Sequence, residues 1–455
     1  MIGPDVFFSS TSDGVDLMDK LVELLRTEIR HCDPGDAVCI SGMVFAFTER
    51  RVADTLFDLA CRYSNVLIRL IGDWKQGAPH KYNQLPRLAR QGRPNLQIRY
   101  KLDQPYVRPP SSGDLIWSYR HSLGLLHHKT LSIRRNGIPQ LLICGTANWA
   151  SGARRNYENL FTVRHIATDW SPVLLSVERE FEALWSDGFA TLSPSEASHH
   201  YRLIQAELAQ PRTATARATK PMGLRSGLGA HPQGLHSARA DDATQHVKLR
   251  RTTELASPSA PLIAFSARRP CESRATAGYH PLNRRRFVLN SGIQGRGEPR
   301  PKPLTPTNLA LSLFAATRAD DRLYLAMHGF SARVAEYSAL LSALRRGVQC
   351  FVVLDGHASA DAAVRLQLIA HEEGLPLRLV TTGRVMHQKY LVHQETATIL
   401  TGTANMSTDA RDRHSEHRIL IPNNPDLATK FIRDLQTIAA RQGKNSEALF
   451  RNETP

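Results

Sequence analysis

Two stretches of this chain place the same reactive side chains in the same order. His127 and Lys129 stand two apart in "LLHHKTLSI", followed by Gly145, Thr146 and Asn148 in "LLICGTANWAS" and then by Glu158. His387 and Lys389 in "VMHQKYLVH" are followed by Gly402, Thr403 and Asn405 in "TILTGTANMST" and then by Glu416. Asn follows His by 21 and 18 residues, and Glu follows Asn by 10 and 11. The set suits a phosphodiester. A neutral imidazole attacks phosphorus, and an imidazolium protonates the departing oxygen. Two lysines and two asparagines hold the non-bridging oxygens, where charge shifts in the transition state. Each glutamate is expected to hydrogen-bond an imidazole nitrogen and so fix its tautomer. One copy supplies a nucleophile or an acid, whereas two copies facing each other supply both.

The surrounding pattern explains how such groups would be held. In a strand, residues i and i+2 share a face, so His and Lys of each pair point into one pocket. His128 falls on the opposite face and reads as a packing or surface residue. The elements before each pair also recur. In the first half these are a helix carrying Val15, Met18, Val22, Leu25 and Ile29, strand Ala37–Ala46, helix Arg50–Tyr63, and a strand ending at Asp73. The second half has helix Asn308–Thr317, strand "DRLYLAMHG", helix Ala332–Arg346, and a strand ending at Asp355. Closing helices follow at Pro172–Trp185 and Pro425–Ala439. This internal repeat of alternating strands and helices predicts an α/β sandwich with a mixed sheet in each half.

The duplicated pattern resembles the phospholipase D superfamily, whose signature is H-x-K-x4-D followed by G-[GST]-x-N, twice per active site. The resemblance covers roughly residues 10–190 and 306–440. It implies two phospholipase D-like α/β sandwich halves packed as a pseudo-dimer, with the site on the pseudo-twofold axis and no metal or other cofactor. It also implies that His127 and His387 are nucleophile and general acid, the first-half histidine more often being the nucleophile. Lys129, Lys389, Asn148 and Asn405 would bind the phosphoryl group. The signature Asp is replaced by Arg134 in one half and Gln394 in the other. Members acting on tyrosyl-DNA linkages also lack it.

Composition bounds the rest. Of 455 residues, 58 are Lys or Arg and 42 Asp or Glu, a formal charge of +16. Between Pro211 and Thr305 there are 17 basic and 5 acidic residues, a net +12, which leaves +4 for the remainder. That segment, rich in Arg, Pro, Ala and Gly, predicts a basic flexible linker at 193–305 between domains at 1–192 and 306–455. Pro261–Ser266 and Arg286–Asn290 within it are candidate docking strands. Six cysteines without C-x-x-C spacing (Cys32, Cys39, Cys61, Cys144, Cys271, Cys350) argue against zinc and disulfide frameworks and favour the cytoplasm. No apolar run is long enough to span a bilayer, and Met1–Ser10 lacks a secretory pattern. A long segment before His127 is either a lid or a surface insertion, with Tyr106, Trp117, Tyr119 and Arg120 as contact residues. Thr146, Thr403 and Trp149 are further substrate-contact candidates, although Trp149 reads equally well as core.

The expected activity is a phosphodiesterase working through a phosphohistidine, with nucleic-acid phosphodiesters as the first substrate class. Phospholipid headgroup esters, by hydrolysis or transfer, are the alternative. An inactive polyanion-binding homologue is a third reading. Nucleic acid is the expected partner and an anionic phospholipid surface a further one, and no obligate protein partner is implied.

Overall fold

Apolar strands alternate with amphipathic helices along both halves, and the resulting sheets share one strand order apart from an extra edge strand in the first. The computed structural model describes residues 4–10, 15–77, 82–101, 106–107, 116–117, 125–164, 170–186, 191–199, 202, 260–265, 278–280, 285–287, 304–412 and 414–443. Strands β1 (Asp5–Phe8), β2 (Val38–Val44), β3 (Val66–Asp73) and β4 (Leu96–Lys101) are followed by the short pair β5 (Tyr106–Val107) and β6 (Ile116–Trp117). Next come β7 (Lys129–Arg135), β8 (Ile138–Gly145), β9 (Asn159–Arg164) and β10 (Thr191–Leu192). The chain continues through β11 (Leu262–Phe265), a second short pair β12 (Gly278–His280) and β13 (Arg285–Phe287), then β14 (Arg322–Met327), β15 (Gln349–Asp355) and β16 (Leu377–Thr382). It ends with β17 (Lys389–His393), β18 (Thr398–Gly402) and β19 (His417–Ile421). The first sheet runs β1-β9-β8-β7-β2-β3-β4-β10 and the second β11-β19-β18-β17-β14-β15-β16. In each, three neighbouring strands are parallel and the flanking ones antiparallel. The chain thus has a two-half phospholipase D-like fold.

Strand β11 lies inside the stretch that composition marks as a basic linker. It pairs antiparallel with β19, as β1 pairs with β9 in the other half. Phe8 stands opposite Asn159, and Phe265 stands opposite His417, the same place in the repeat. Of the other proposed docking piece, Arg286 and Phe287 lie in β13, which pairs with β12; residues 288–290 lie outside the described residues. Helix Ala360–Glu373 was not evident in the sequence. It ends at Gly374, whose φ of 62° stops a helix without the cost a side chain would add.

One apolar cluster joins the halves. It contains Phe8, Phe161 and Phe181 from the first and Tyr390, Phe431 and Leu435 from the second. Helix Ser171–Trp185 and helix Pro425–Ala440 face this shared layer, while two further clusters fill the outer face of each sheet. The rings of Phe8 and Phe431 meet edge to face at 5.1 Å across the halves, and Tyr390 meets Phe431 at 4.8 Å. Phe431→Ala should therefore destabilise the whole chain by about 3–5 kcal/mol. Chemical denaturation measures this, and an unchanged midpoint would refute the shared core.

Candidate active site

Each Gly-Thr-Ala-Asn turn is fixed by the strand that follows it. Gly145 and Gly402 have φ of +143° and +146°. A Cβ there would stand 2.5 Å from the Asn159 carbonyl oxygen or 2.4 Å from that of His417, so only glycine permits the approach. The Thr146 hydroxyl accepts from the Asn159 amide at 2.9 Å, and the Thr403 hydroxyl accepts from the His417 amide at 3.1 Å. Asn159 and His417 directly follow Glu158 and Glu416, so both turns set the position of a glutamate.

The glutamates then cross the pseudo-twofold axis. His387 Nδ1 donates to Glu158 Oε2 at 2.8 Å and to the Thr146 carbonyl at 3.1 Å, and His127 Nδ1 pairs with Glu416 Oε1. The backbone follows the same exchange. His127 N donates to Ser415 O and His387 N to Tyr157 O, both at 2.9 Å. The middle residues of the two His-x-Lys runs do likewise. Gln388 accepts from Asn159, and His128 faces His417 with Nδ1 atoms 3.1 Å apart. His128 is fully buried, stacks on His417 and lies beside Phe265. With each Nδ1 occupied, Nε2 of His127 and His387 is left for chemistry. The two ring centroids lie 6.3 Å apart with the rings perpendicular, so both imidazoles border one small space between the halves.

Two aspartates hold the histidines from behind. Asp73 Oδ2 accepts from the Leu126 amide and Asp355 Oδ2 from the Met386 amide, both at 2.9 Å, one residue before His127 and His387. The repeated strand-terminal Asp was the sequence signal for this role. Burial pushes the Asp355 carboxyl up, but hydrogen bonds from His328 and the Ala358 and Met386 amides outweigh it and hold the group below the ordinary carboxylate range.

The four central side chains are almost dry: His127 is 7% exposed, His387 8%, Lys129 3% and Lys389 2%. Burial, with the nearby lysine charges, lowers both imidazoles well below their usual range, against the pull of the glutamate paired with each. Burial and Lys389 lower Lys129, and burial brings Lys389 down to about 8 against the opposing pull of Glu158 and Glu416. The glutamates diverge. Burial pushes Glu158 up to about 7, whereas at Glu416 the His127 charge and the hydrogen bonds of His127 and His414 overcome burial and lower it. Lys129 Nζ and Lys389 Nζ each donate to the carbonyl of their own histidine at 2.8 Å, and Asn405 Oδ1 accepts from the Gly329 amide at 3.0 Å. Asn148 Oδ1 is buried with no partner among the described residues.

A family described as "Cardiolipin synthase, PLD-like domain" matches residues 26–185 and 314–439. The chain belongs to the phospholipase D superfamily. No curated protein matches it. Among solved structures, phosphatidylserine synthase of Haemophilus influenzae Rd KW20 is similar in fold, at 12% identity over 95% of this chain and 86% of that one, with a TM-score of 0.53. Nuc from Salmonella typhimurium, a phospholipase D family member, is 29% identical over 30% of this chain and 88% of its own, with a TM-score of 0.25. A yeast tyrosyl-DNA phosphodiesterase mutant is 8% identical over 92% and 89%, with a TM-score of 0.42.

Several expected contacts fall elsewhere in this phospholipase D-like site. Trp149, a proposed substrate contact, is 2% exposed and packs edge to face on Phe47 at 5.2 Å, because the strand end turns its ring into the core. Thr146 and Thr403 are fully buried and occupied by the turn bonds above, so neither faces a substrate. Tyr119, Arg120 and the side chains of Tyr106 and Trp117 lie outside the described residues. Arg134 and Gln394, in place of the signature Asp, lie at or just beyond the far ends of β7 and β17. Arg134 pairs with Glu178 at 3.1 Å and Glu182 at 3.3 Å on helix Ser171–Trp185, away from the imidazoles. Among the described residues, His127–His414–Glu416 and Asp321–His393–Glu395 cluster potential metal donors within 4.8 Å. The first lies beside Lys129 and Lys389. In the second, His393 already bonds Asp321 at 3.0 Å and Arg322 covers Glu395.

Two buried lysines facing one space are a pair whose protonated forms an anion between them would favour. Because Lys389 titrates at about 8, its cation is present below that pH and is lost above it. Inorganic phosphate, measured by calorimetry, should bind at pH 7 and weaken as pH rises through about 8. Binding that strengthens with pH would contradict this electrostatic arrangement.

Proposed function

We propose that the chain is a phosphodiesterase that works through a phosphohistidine on His127. The crossed pairing of two imidazoles with the opposite half's glutamates carries this reading. His127 Nε2 forms the N–P bond while the P–O bond breaks, and the leaving oxygen takes a proton from His387. Water then gives a proton to His387 as its oxygen displaces His127. Lys129, Lys389, Asn148 and Asn405 hold the non-bridging oxygens, where charge develops. Each step uses side chains already present, so no cofactor is assigned a role. The complete set of paired histidines, lysines and asparagines favours catalysis over a silent binding role.

Nucleic-acid phosphodiesters are the substrate class we assign. The +12 carried by residues 211–305 supports it, since a basic segment attracts a polyanion to the protein. The cytoplasm, where such substrates reside, fits the scattered cysteines. A phospholipid reading, by hydrolysis or headgroup transfer, draws support from the cardiolipin synthase description of the matching family. Among the described residues no helix is long and apolar enough to cross a membrane.

Full-length protein treated with EDTA and offered labelled single-stranded DNA, RNA and phosphatidylcholine vesicles separates these readings. Cleavage of DNA or RNA is expected, insensitive to the chelator. Turnover confined to the vesicles would transfer the assignment to lipids. His127→Ala should reduce turnover by at least about 10³-fold. Full activity in that variant would end the proposal.

A further inference from the structure

The pseudo-twofold relation breaks where the two catalytic glutamates meet their other neighbours. Two residues before Glu158 stands Asn156, whose amide Nδ2 donates to Glu158 Oε1 at 3.2 Å. Two residues before Glu416 stands His414, with Nδ1 3.9 Å from Glu416 Oε1 and its ring 5.8 Å from that of His127. One carboxylate therefore lies between an imidazole and a neutral amide, and the other between two imidazoles. Lys129 and Lys389 act on both carboxylates, so the lysines do not distinguish them.

An amide offers a fixed dipole, whereas an imidazole also offers a proton and a charge. A carboxylate flanked by two imidazoles is held as the anion and draws the Nδ1 proton of its partner histidine. That raises electron density at Nε2 and stabilises the cation formed when Nε2 bonds to phosphorus. The amide-flanked carboxylate supports its imidazolium less, so that imidazole gives up a proton more readily. A second break in symmetry points the same way. His127 lies against the apolar ring of Phe45 at 5.0 Å, while His387 lies against the partly exposed ring of His328 at 4.8 Å. An imidazole that exchanges protons is better served by the polar neighbour.

We propose that His414, occupying the place held by Asn156 in the first half, is the positioning residue that selects His127 over His387 as the nucleophile. This inference rests on the phosphohistidine reading above.

Bis(4-nitrophenyl) phosphate is a suitable probe, because 4-nitrophenolate leaves without protonation and the site of the adduct reports nucleophile choice alone. Full-length protein is quenched in alkali during turnover, and peptide mapping locates the modified histidine. In the wild type the adduct should lie predominantly on His127. His414→Asn should lower the His127:His387 ratio by about fivefold or more. The exchange variant Asn156→His/His414→Asn should move most of the adduct to His387. His414→Gln provides a second variant if His414→Asn does not fold. An unchanged ratio in the folded variants, or a wild-type adduct on His387, would overturn the selection by His414. No adduct on either wild-type histidine would remove the phosphohistidine reading itself, and this inference with it.

Discussion

Everything in the catalytic centre depends on an exchange across the pseudo-twofold axis, in which each half supplies a histidine and receives a glutamate. The exchange involves more than two side chains. Backbone bonds at Ser415 and Tyr157, the Gln388–Asn159 contact and the stacked His128–His417 pair repeat the crossing in adjacent positions. Because the paired charges are buried, removing one partner leaves the other uncompensated, at a cost of about 3–5 kcal/mol. Neither half can therefore keep its histidine in working order alone. The shared layer around Phe8 and Phe431 holds the halves at the separation this exchange requires.

The same dryness that strengthens the crossed pairs weakens the lysines. Lys129 and Lys389 sit in a site with little solvent and with each other's charge nearby, so their protonated forms are less favoured than in water, and an anion between them would favour those forms again. Substrate affinity and protonation are thus one equilibrium. The glutamates divide along another line: Glu416 stays ionised, while Glu158 lies near 7. Two groups of equal chemistry are set to different tasks by their surroundings.

Much of this was legible in the chain because duplication writes each element twice. His127, Lys129, Gly145 and Asn148 and their counterparts stood out by order and spacing, and the strands that carry them followed from apolar runs. The crossing of Glu158 and Glu416 was not legible, because it depends on how two sheets face each other rather than on any local pattern. Asp73 and Asp355 were visible as strand ends, but their hold on the Leu126 and Met386 amides is a tertiary contact. Thr146 and Thr403 misled for a related reason. Small polar residues beside a catalytic Asn suit a substrate as well as a turn, and only the register of β9 and β19 decides between them. Strand β11 was legible as a docking candidate within Pro261–Ser266, but the β19 edge it pairs with was not, since that pairing is a tertiary contact.

That strand has a topological consequence. Phe265 covers the stacked His128–His417 pair, so the passage between the halves supplies part of the seam that closes them. The boundary that composition suggests, at residue 305, and the boundary of the folded second sheet, at residue 262, are different places. A chain divided ahead of β11 leaves each half its own edge strand and a seam able to re-form from two pieces. A chain divided after it leaves one edge of β19 open, a row of hydrogen-bonding groups that invites association with any passing strand.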